Sequence, residues 1–525
     1  MEPQDKLTSL NRGYIFKDGA CLSPPPADII PPDCGADGFV SLLKGIDGMF
    51  SLAARRGDYI LAAVDRVRSH PLFYAVRDGQ LLLDSDAFAL RARLANPGLD
   101  HKALREFLIT GYCTFGDTLV EGLRQLEAGK CLIWHQPTRS LEIREYFRYT
   151  RVYAEADLSL RALDRMHERV FGRLIDSLGG RPVLIPLSGG YDSRLVAVML
   201  KRLGYSNVTC FSYRGKHRGE CETSRKVARF LNYPWRLVEQ TRGMWHQAFN
   251  SRQMREFFRF STHLSSAPYI QDWLAVRALK ERGLVPDDAV FVPGHSGDFP
   301  EGGYLPQIFE DKVEFSRDNL LRALFDARFK LWKCPDELRL RFFGPRIAEQ
   351  LRIPEQMSAE TAASFFDEWC WAHHQSNFIV NSVRVYEFFG HSWRLPHWDL
   401  EFMEFWRRVP LPLRLHRYLY KKYVRAFQPL GFGVYKDVSL ERRVRNAWLR
   451  NQYGEVMDPR YGRFLDYRDR YAYLNTRVES LLEPNICYPD FVNGQLPLLR
   501  VDLNALQALA VIREFFGRTA GGNEP

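Results

Sequence analysis

The chain has 525 residues, 46% of them apolar and 26% charged, a length too great for one hydrophobic core, so two or more domains are expected. No apolar run approaches the roughly 18–20 residues that cross a bilayer, and the start, "MEPQDKLTSLNRGYIF", lacks the basic-then-apolar plan of a secretory signal; nine cysteines without a C-x-x-C pair exclude a zinc ribbon or a disulfide frame and read as reduced thiols of a cytoplasmic protein. The formal charge of +10 suits an anionic ligand, but the basic residues are spread, and the densest stretch (440–473, "LERRVRNAWLRNQYGEVMDPRYGRFLDYRDRYAY") also carries five acids and reads as a solvated helical face, so no nucleic-acid partner is expected.

In chain order, residues 1 to about 150 read mainly as strands. "GMFSLAARRGDYILAAVDRV" and "PLFYAVRDGQLLLDSDAFAL" alternate apolar and polar positions and break at Gly-Asp and Asp-Gly turns. "LEAGKCLIWHQPTRSLEIREYF" has the same hairpin character. From about Asp157 the period changes, and "LSLRALDRMHERVFGRLIDSL" spaces its apolar residues as a helix that stops at Gly179-Gly180. A short strand over 183–187 follows, then "SGGYDS", then a helix over about 193–203 closed by Gly204. "NVTCFSY" reads as strand, "ETSRKVARFLNYP" as helix and "WRLVE" as strand again. Such alternation predicts a parallel sheet with helices on both faces, with a domain cut near 150 and mostly helix beyond about Ile308.

The loop after the first strand of a parallel sheet lies at the carboxyl edge, where ligands bind. Gly189 and Gly190 let the backbone approach a ligand, the following helix offers free N–H groups to an anion, and Ser188 and Ser193 add hydroxyls. Asp192 would repel a bare phosphate, but fits if Mg²⁺ lies between carboxylate and phosphates. A plain Gly-Gly turn with a capping Ser or Asp is the structural alternative.

Six residues in this strand–loop–helix setting, Ser188-Gly189-Gly190-Tyr191-Asp192-Ser193, resemble the S-G-G-x-D-S pyrophosphate loop of ATP pyrophosphatases, without the Gly-Lys-Ser/Thr ending of a Walker A loop. Further segments match in order, so most of the chain resembles the asparagine synthetase family, with its β-lactam synthetase and lasso-peptide cyclase relatives. "VFVPGHSGDFPEGGY" resembles the family's second nucleotide loop, S-G-x-G-x-D-E-x-x-G-G-Y; "RVYEFFGHSWRLPHWD" resembles its R-x-x-x-x-x-G-x-E-x-R-x-P-F-L-D segment through Arg384, Gly390, Arg394, Pro396 and Asp399. "LPLRLHRYLYKKYVRAFQP" resembles the stretch that follows. The resemblance implies ATP and Mg²⁺ as cofactors. It puts Leu187, Tyr213 and Gly294 at the nucleotide with the loop residues, Asp192 and Asp298 on the metal, and a charge-neutralising lysine best matched by Lys436, with Lys421 and Lys422 as substitutes.

Departures from the family pattern are informative. Phe299 follows Asp298 where asparagine-forming members carry an acid, and Ser392 replaces the Glu of the G-x-E-x-R segment. His295 stands where β-lactam synthetases carry the tyrosine of an acid/base pair; an imidazole there could deprotonate an amine, or only bond a phosphate or carbonyl. Glu387 and His391, four apart, would share a helix face as a surface ion pair or as a substitute acid.

The front 150 residues resemble the family's glutaminase domain through "GIDGMFSLAARRGDYILAAVDRVRSHPLFYAV" and "DTLVEGLRQLEAGKCL". A working glutaminase of that type exposes an N-terminal cysteine. Here Met1 precedes Glu2, Cys21 is internal, and the family's Arg and Asn-Gly-Glu glutamine-binding pieces have no match. The fold class implied is a β-rich Ntn-hydrolase-like, degenerate glutaminase domain (1–150) ahead of a parallel-sheet α/β synthetase domain with a helical end (151–525). The implied function is amide synthesis through an acyl-adenylate, on a small-molecule carboxylate such as a uronic-acid sugar. Ammonia or an amine is the nitrogen donor, with a separate glutaminase as one source, and a homodimer is allowed. A peptide macrolactam cyclase, a tRNA-modifying enzyme and a non-catalytic assembly protein are the alternatives.

Overall fold

The computed structural model describes residues 7–214, 218–331, 334–427 and 503–516. The front part supplies β1 (Arg12–Lys17), β2 (Ala20–Leu22), β3 (Asp47–Arg56), β4 (Tyr59–Val64), β5 (Phe73–Arg77), β6 (Gln80–Asp84), β7 (Arg124–Gln125), β8 (Lys130–His135) and β9 (Ser140–Glu145). Six form an antiparallel sheet in the order β2-β1-β3-β4-β8-β9; the others form a second antiparallel sheet, β6-β5-β7. The Gly-Asp and Asp-Gly signals are tight turns: Gly57 joins β3 to β4, and Asp78 and Gly79, both at positive φ, join β5 to β6.

The helix Leu160–Leu178 begins on Ser159, whose side chain accepts from the Ala162 amide, and ends at Gly179 in the left-handed region, the stop read from the sequence. Then come β10 (Val183–Pro186), β11 (Val208–Arg214), β12 (Trp235–Glu239) and β13 (Val290–Phe291). β14 (Glu314–Ser316) and β15 (Gln356–Ser358) pair antiparallel, and β16 (Ser392–Trp393) returns to the central sheet. That sheet is parallel throughout, in the order β12-β11-β10-β13-β16. Its central strand, Val-Leu-Ile-Pro, is apolar because both faces are covered, and Pro186 is tolerated as its last residue.

Among the described residues the region beyond Ile308 is mostly helix, as expected, with the short strands β14, β15 and β16 between the helices. One expectation is corrected here. Glu387 and His391 do not share a helix face. The helix Arg384–Phe388 stops at Gly390, whose φ of +86° breaks the register, and His391 folds back against the Phe291 ring (5.4 Å). Glu387 instead pairs with Arg384 (2.6 Å) and accepts from Trp393 Nε1 (2.8 Å).

A single aromatic-rich core runs from the front part into the α/β part, joining Tyr14, Met49, Phe73 and Phe107 to Phe291, Phe299, Trp369 and Trp398. Polar contacts cross the same junction. Trp371 Nε1 donates to the Arg66 carbonyl (2.7 Å), Asn377 Nδ2 to the Cys113 carbonyl (2.9 Å), and the Arg394 guanidinium lies 4.1 Å over the Tyr14 ring. Arg394 also holds Ser177, and Asp399 pairs with Arg173 (2.7 Å) while capping the helix Leu400–Arg407. The residues that carry the third sequence match therefore brace the junction. No described helix is long and apolar enough to cross a membrane, and no disulfide occurs among the described residues.

Candidate active site

The helix after β10 begins two residues earlier than its sequence suggests, at Tyr191, because Gly190 adopts the extended conformation of an N-cap (φ −75°, ψ 171°). Asp192 and Ser193 thus lie in the first turn of Tyr191–Arg202, and no side chain caps that end. The loop before it is held from within. The Ser188 amide donates to Ser193 Oγ (3.0 Å), the two hydroxyls are 3.0 Å apart, the Gly190 amide donates to Ser188 Oγ (3.1 Å), and Arg194 holds the Gly189 carbonyl (2.8 Å). With no side-chain cap, the positive end of this helix's dipole suits an anion.

The second loop, following β13, packs directly on this helix end. A Cβ added at Gly294 would lie 2.3 Å from the Ser193 amide nitrogen, and one at Gly297 would lie 3.0 Å from both Asp192 Cβ and His397 Cε1. Only glycine lets the two loops meet. Asp298 is thereby brought near Asp192, and burial together with that neighbouring carboxylate raises its pKa to about 6. A pair of carboxylates of this kind calls for a cation between them. The described protein supplies one: Arg417 contacts Asp192 and Glu301, with its Nε 2.9 Å from Glu301 Oε2. Arg417 follows His416, and both carry left-handed φ values (59° and 55°), a strained arrangement costing about 1–3 kcal/mol per residue that points the guanidinium into the cluster. Arg414 anchors the same turn by donating to the Pro300 carbonyl (3.0 Å) and pairing with buried Asp367 (2.8 Å).

The departures from the family pattern acquire reasons. Phe299 is fully buried among Tyr149, Tyr304 and Trp398, so position 299 faces the core, and the loop's acid stands two residues on, at Glu301. Glu301 is also fully buried, which lifts its pKa well above the usual carboxylate range despite Arg417. Ser392 is exposed on β16 and lies away from the cluster. Cys21 sits inside β2, where burial raises its thiol pKa, so the thiolate a glutaminase needs is disfavoured.

Other sequence candidates are placed as follows. His295 Nδ1 is 2.8 Å from Ser382 Oγ, and its ring meets Tyr269 edge-on (6.0 Å). Burial lowers its pKa, so the imidazole is neutral at pH 7. Tyr213 donates to Asp272 (2.7 Å), which also accepts from Tyr386 (2.6 Å). Leu187 is buried in the core, its amide on the Phe211 carbonyl (2.8 Å) and its carbonyl accepting from Ser212 Oγ (2.7 Å), so its side chain does not reach the loop surface. Lys421 and Lys422 lie on the helix Tyr418–Phe427, with Lys422 exposed. Lys436 and the basic stretch 440–473 lie outside the described residues.

Sequence reading missed Arg417, Glu301 and His397. His397 has its Nδ1 3.3 Å from the His295 carbonyl and a pKa lowered by burial to about 4. Two signals are present in the sequence: Glu301 stands within the second loop that resembles the family's, and Arg417 within the basic segment that also carries Lys421 and Lys422.

Comparison with known families agrees with this geometry. The profile of the glutamine amidotransferase domain matches residues 35–147, and that of asparagine synthase matches residues 177–428, which contain both glycine loops and Arg417. The chain joins a glutamine amidotransferase-like domain to an asparagine synthase domain. This is the arrangement of the asparagine-synthetase-like superfamily, whose synthase domains characteristically use ATP and Mg²⁺ and form amide bonds. The chain is also similar to mitochondrial tRNA-specific 2-thiouridylase 1 of Danio rerio, 31% identical over 80 residues, which are 14% of this chain and 19% of that protein. In the asparagine synthase domain, the carboxylates of Asp192 and Asp298 are of the kind that hold Mg²⁺ when nucleotide phosphates complete the shell. Among the described residues no group of three or more His, Cys, Asp or Glu is arranged to hold a metal ion by itself.

Proposed function

We propose that the chain is an ATP- and Mg²⁺-dependent amide synthetase. An acceptor carboxylate attacks the α-phosphorus of ATP, forming an acyl-adenylate and releasing pyrophosphate. Ammonia or an amine then attacks the acyl carbon, giving the amide, AMP and a proton. The observation that carries this reading is the meeting of the two loops, in which Gly294 lets Asp298 approach Asp192 at the uncapped start of Tyr191–Arg202.

In this reading Ser188, Gly189, Gly190 and Ser193 bind the pyrophosphate, Tyr213 and Gly294 border the nucleotide above the buried Leu187, and Asp192 and Asp298 hold the metal. Magnesium, when bound, neutralises charge that develops on the departing pyrophosphate. His295, neutral at pH 7, takes the proton from the attacking amine, and Lys436 adds positive charge. Domain limits of 1–150 and 151–525, with an Ntn-like front and an ATP-pyrophosphatase back, belong to the same proposal, as do a cytoplasmic setting and a uronic-acid sugar or its nucleotide conjugate as acceptor. The front domain supplies a docking surface for an ammonia source, since Cys21 lies inside a strand.

ATP–pyrophosphate exchange against a panel of carboxylates, with ammonium or glutamine as donor, tests the proposal. Exchange is expected with a hexuronate, and loss of about a hundredfold or more in Asp192→Asn and Asp298→Asn. Exchange driven instead by a peptide would favour the macrolactam cyclase, and exchange driven by tRNA the chemistry named for the thiouridylase. Absence of both exchange and ATP binding would sink the enzyme reading.

A further inference from the structure

The connection between β4 and β5 buries an arginine that has no ion-pair partner among the described residues. Arg68 is 4% exposed, and its Nε and Nη2 are buried without a hydrogen-bond partner. Asp65 and Glu127 attract it from beyond ion-pair distance, but Asp65 already accepts from the Phe50, Val67 and Ser69 amides and from the Ser69 hydroxyl. Burial and the like charge of Arg384 outweigh both acids and bring the Arg68 pKa down to about 9. Arg68 also carries a left-handed φ of 54°, a backbone form that suits glycine and not a long side chain. Strain of this kind persists where the surroundings hold it, and it gathers at ligand clamps. A charge drawn this far out of water calls for a counter-charge, and the described protein does not supply it.

Other unsatisfied groups surround it. Arg384, 3% exposed, comes from the synthase part: its Nη1 pairs with Glu387 (2.6 Å), its Nη2 donates to the Ser69 carbonyl, and its Nε is buried without a partner. His263, at a left-handed φ of 50°, likewise has Nε2 buried and unpartnered. Burial and the charges of Arg384, Arg68 and Arg12 push its pKa well below the usual histidine value, so the ring is neutral and adds no charge of its own. Two aromatic rings hold these groups together. Arg68 lies 5.4 Å over Phe73, which His263 meets at 5.6 Å, and Arg384 lies 6.0 Å over Trp393, on which His70 stacks at 5.3 Å. His70 and His263 are partly open to solvent and Arg12 is exposed, so the cluster is not sealed from water.

We propose that Arg68, Arg384 and His263 form an anion site at the junction of the two parts, outside both nucleotide loops, that takes a small oxyanion: a phosphate or carboxylate group. The Nε–Nη2 edge of Arg68 offers two parallel donors to a pair of oxygens, and Arg384 Nε and His263 Nε2 are the further groups available to it. Arg68 belongs to the front part and Arg384 to the synthase part, so the bound anion joins them through its charge. Stability of the whole chain then rises with the concentration of that anion, as for any ligand that binds only the folded state. The site is independent of the amide-synthetase reading.

Thermal melts and calorimetric titration of the full chain with inorganic phosphate, glycerol 3-phosphate or acetate, at constant ionic strength, test the proposal. The melting temperature of the native protein should rise with the concentration of one of these anions, and the affinity for that anion should fall about tenfold or more in Arg68→Gly. Glycine accepts the left-handed backbone at position 68 and leaves the nucleotide loops as they are, so this variant should fold. Preference for inorganic phosphate identifies a free ion, preference for the ester a phosphorylated metabolite, and preference for acetate a carboxylate. A response of equal size in the native protein and Arg68→Gly belongs to the nucleotide loops and overturns the proposal, as does the lack of any response in the native protein. Should Arg68→Gly fail to fold, Arg68→Gln answers the same question, since it too removes the charge.

Discussion

At Gly294 one hydrogen atom in place of a methyl group decides whether two loops can touch. A side chain there would overlap the Ser193 backbone at 2.3 Å, with no flexible atom to yield. Gly294→Ala is therefore expected to separate the loops, lower stability by about 1–3 kcal/mol and weaken ATP binding at least tenfold; urea midpoints and nucleotide titration measure the two effects. The contrast with Glu301 is instructive about legibility. Asp192 and Asp298 can be read from spaced motifs because glycines and acids at fixed offsets leave a pattern. Glu301 and Arg417 lie inside matched segments but at no fixed offset, since the acid stands two positions on and the arginine reaches it through left-handed backbone at His416 and Arg417 that composition does not reveal. Lys436 was legible only as a match to a family, and its surroundings are outside the described residues.

Among the elements, those built on local rules were legible and those built on tertiary contact were not. Ser159 and Gly179 bracket a helix because capping and left-handed backbone are local, and the apolar run of β10 marks a strand covered on both faces. The two-residue β13 and β16 are held only by their neighbours in the sheet, and nothing in two residues signals that. Gly390, at positive φ, is a local stop signal between Glu387 and His391 that outweighs their helical spacing. The helix Ala359–Trp369 carries a titration of its own. Burial raises the pKa of Glu368 to about 7, although Arg148 lies 3.2 Å away and pulls it down. A carboxyl raised in the folded state favours folding when protonated, so its contribution is intact below its unfolded value near 4.5 and is lost as pH rises to about 7. Glu368→Gln should thus leave stability unchanged near pH 4 and raise it at pH 8 by on the order of 1 kcal/mol, a difference that denaturant melts at the two pH values detect.

On the scale of the whole molecule, the shared core makes the two homologous regions one folding unit. Tyr14 stacks under Arg394, Trp371 reaches the Arg66 carbonyl, and Asn377 reaches that of Cys113, so the front part contributes to the walls behind the synthase site. A chain beginning at residue 151 should expose Trp371, Trp393 and their neighbours and aggregate, while the full chain melts in a single calorimetric transition. Two separated transitions, or a soluble folded fragment, would contradict this. The composition predicted more than one domain from length alone; it could not predict that the boundary would be aromatic, because interface and core draw on the same side chains.

The junction also bears on how such a chain changes over generations. A region that lies outside a neighbouring domain's site is ordinarily free to drift or to be deleted. Here the carbonyls of Arg66 and Cys113 are anchoring points for the other half, and main-chain atoms cannot be mutated away. Selection on the synthase site is then exerted on the backbone path of the front domain while leaving many of its outward side chains free, so the two halves are inherited as a pair even if only one of them performs chemistry.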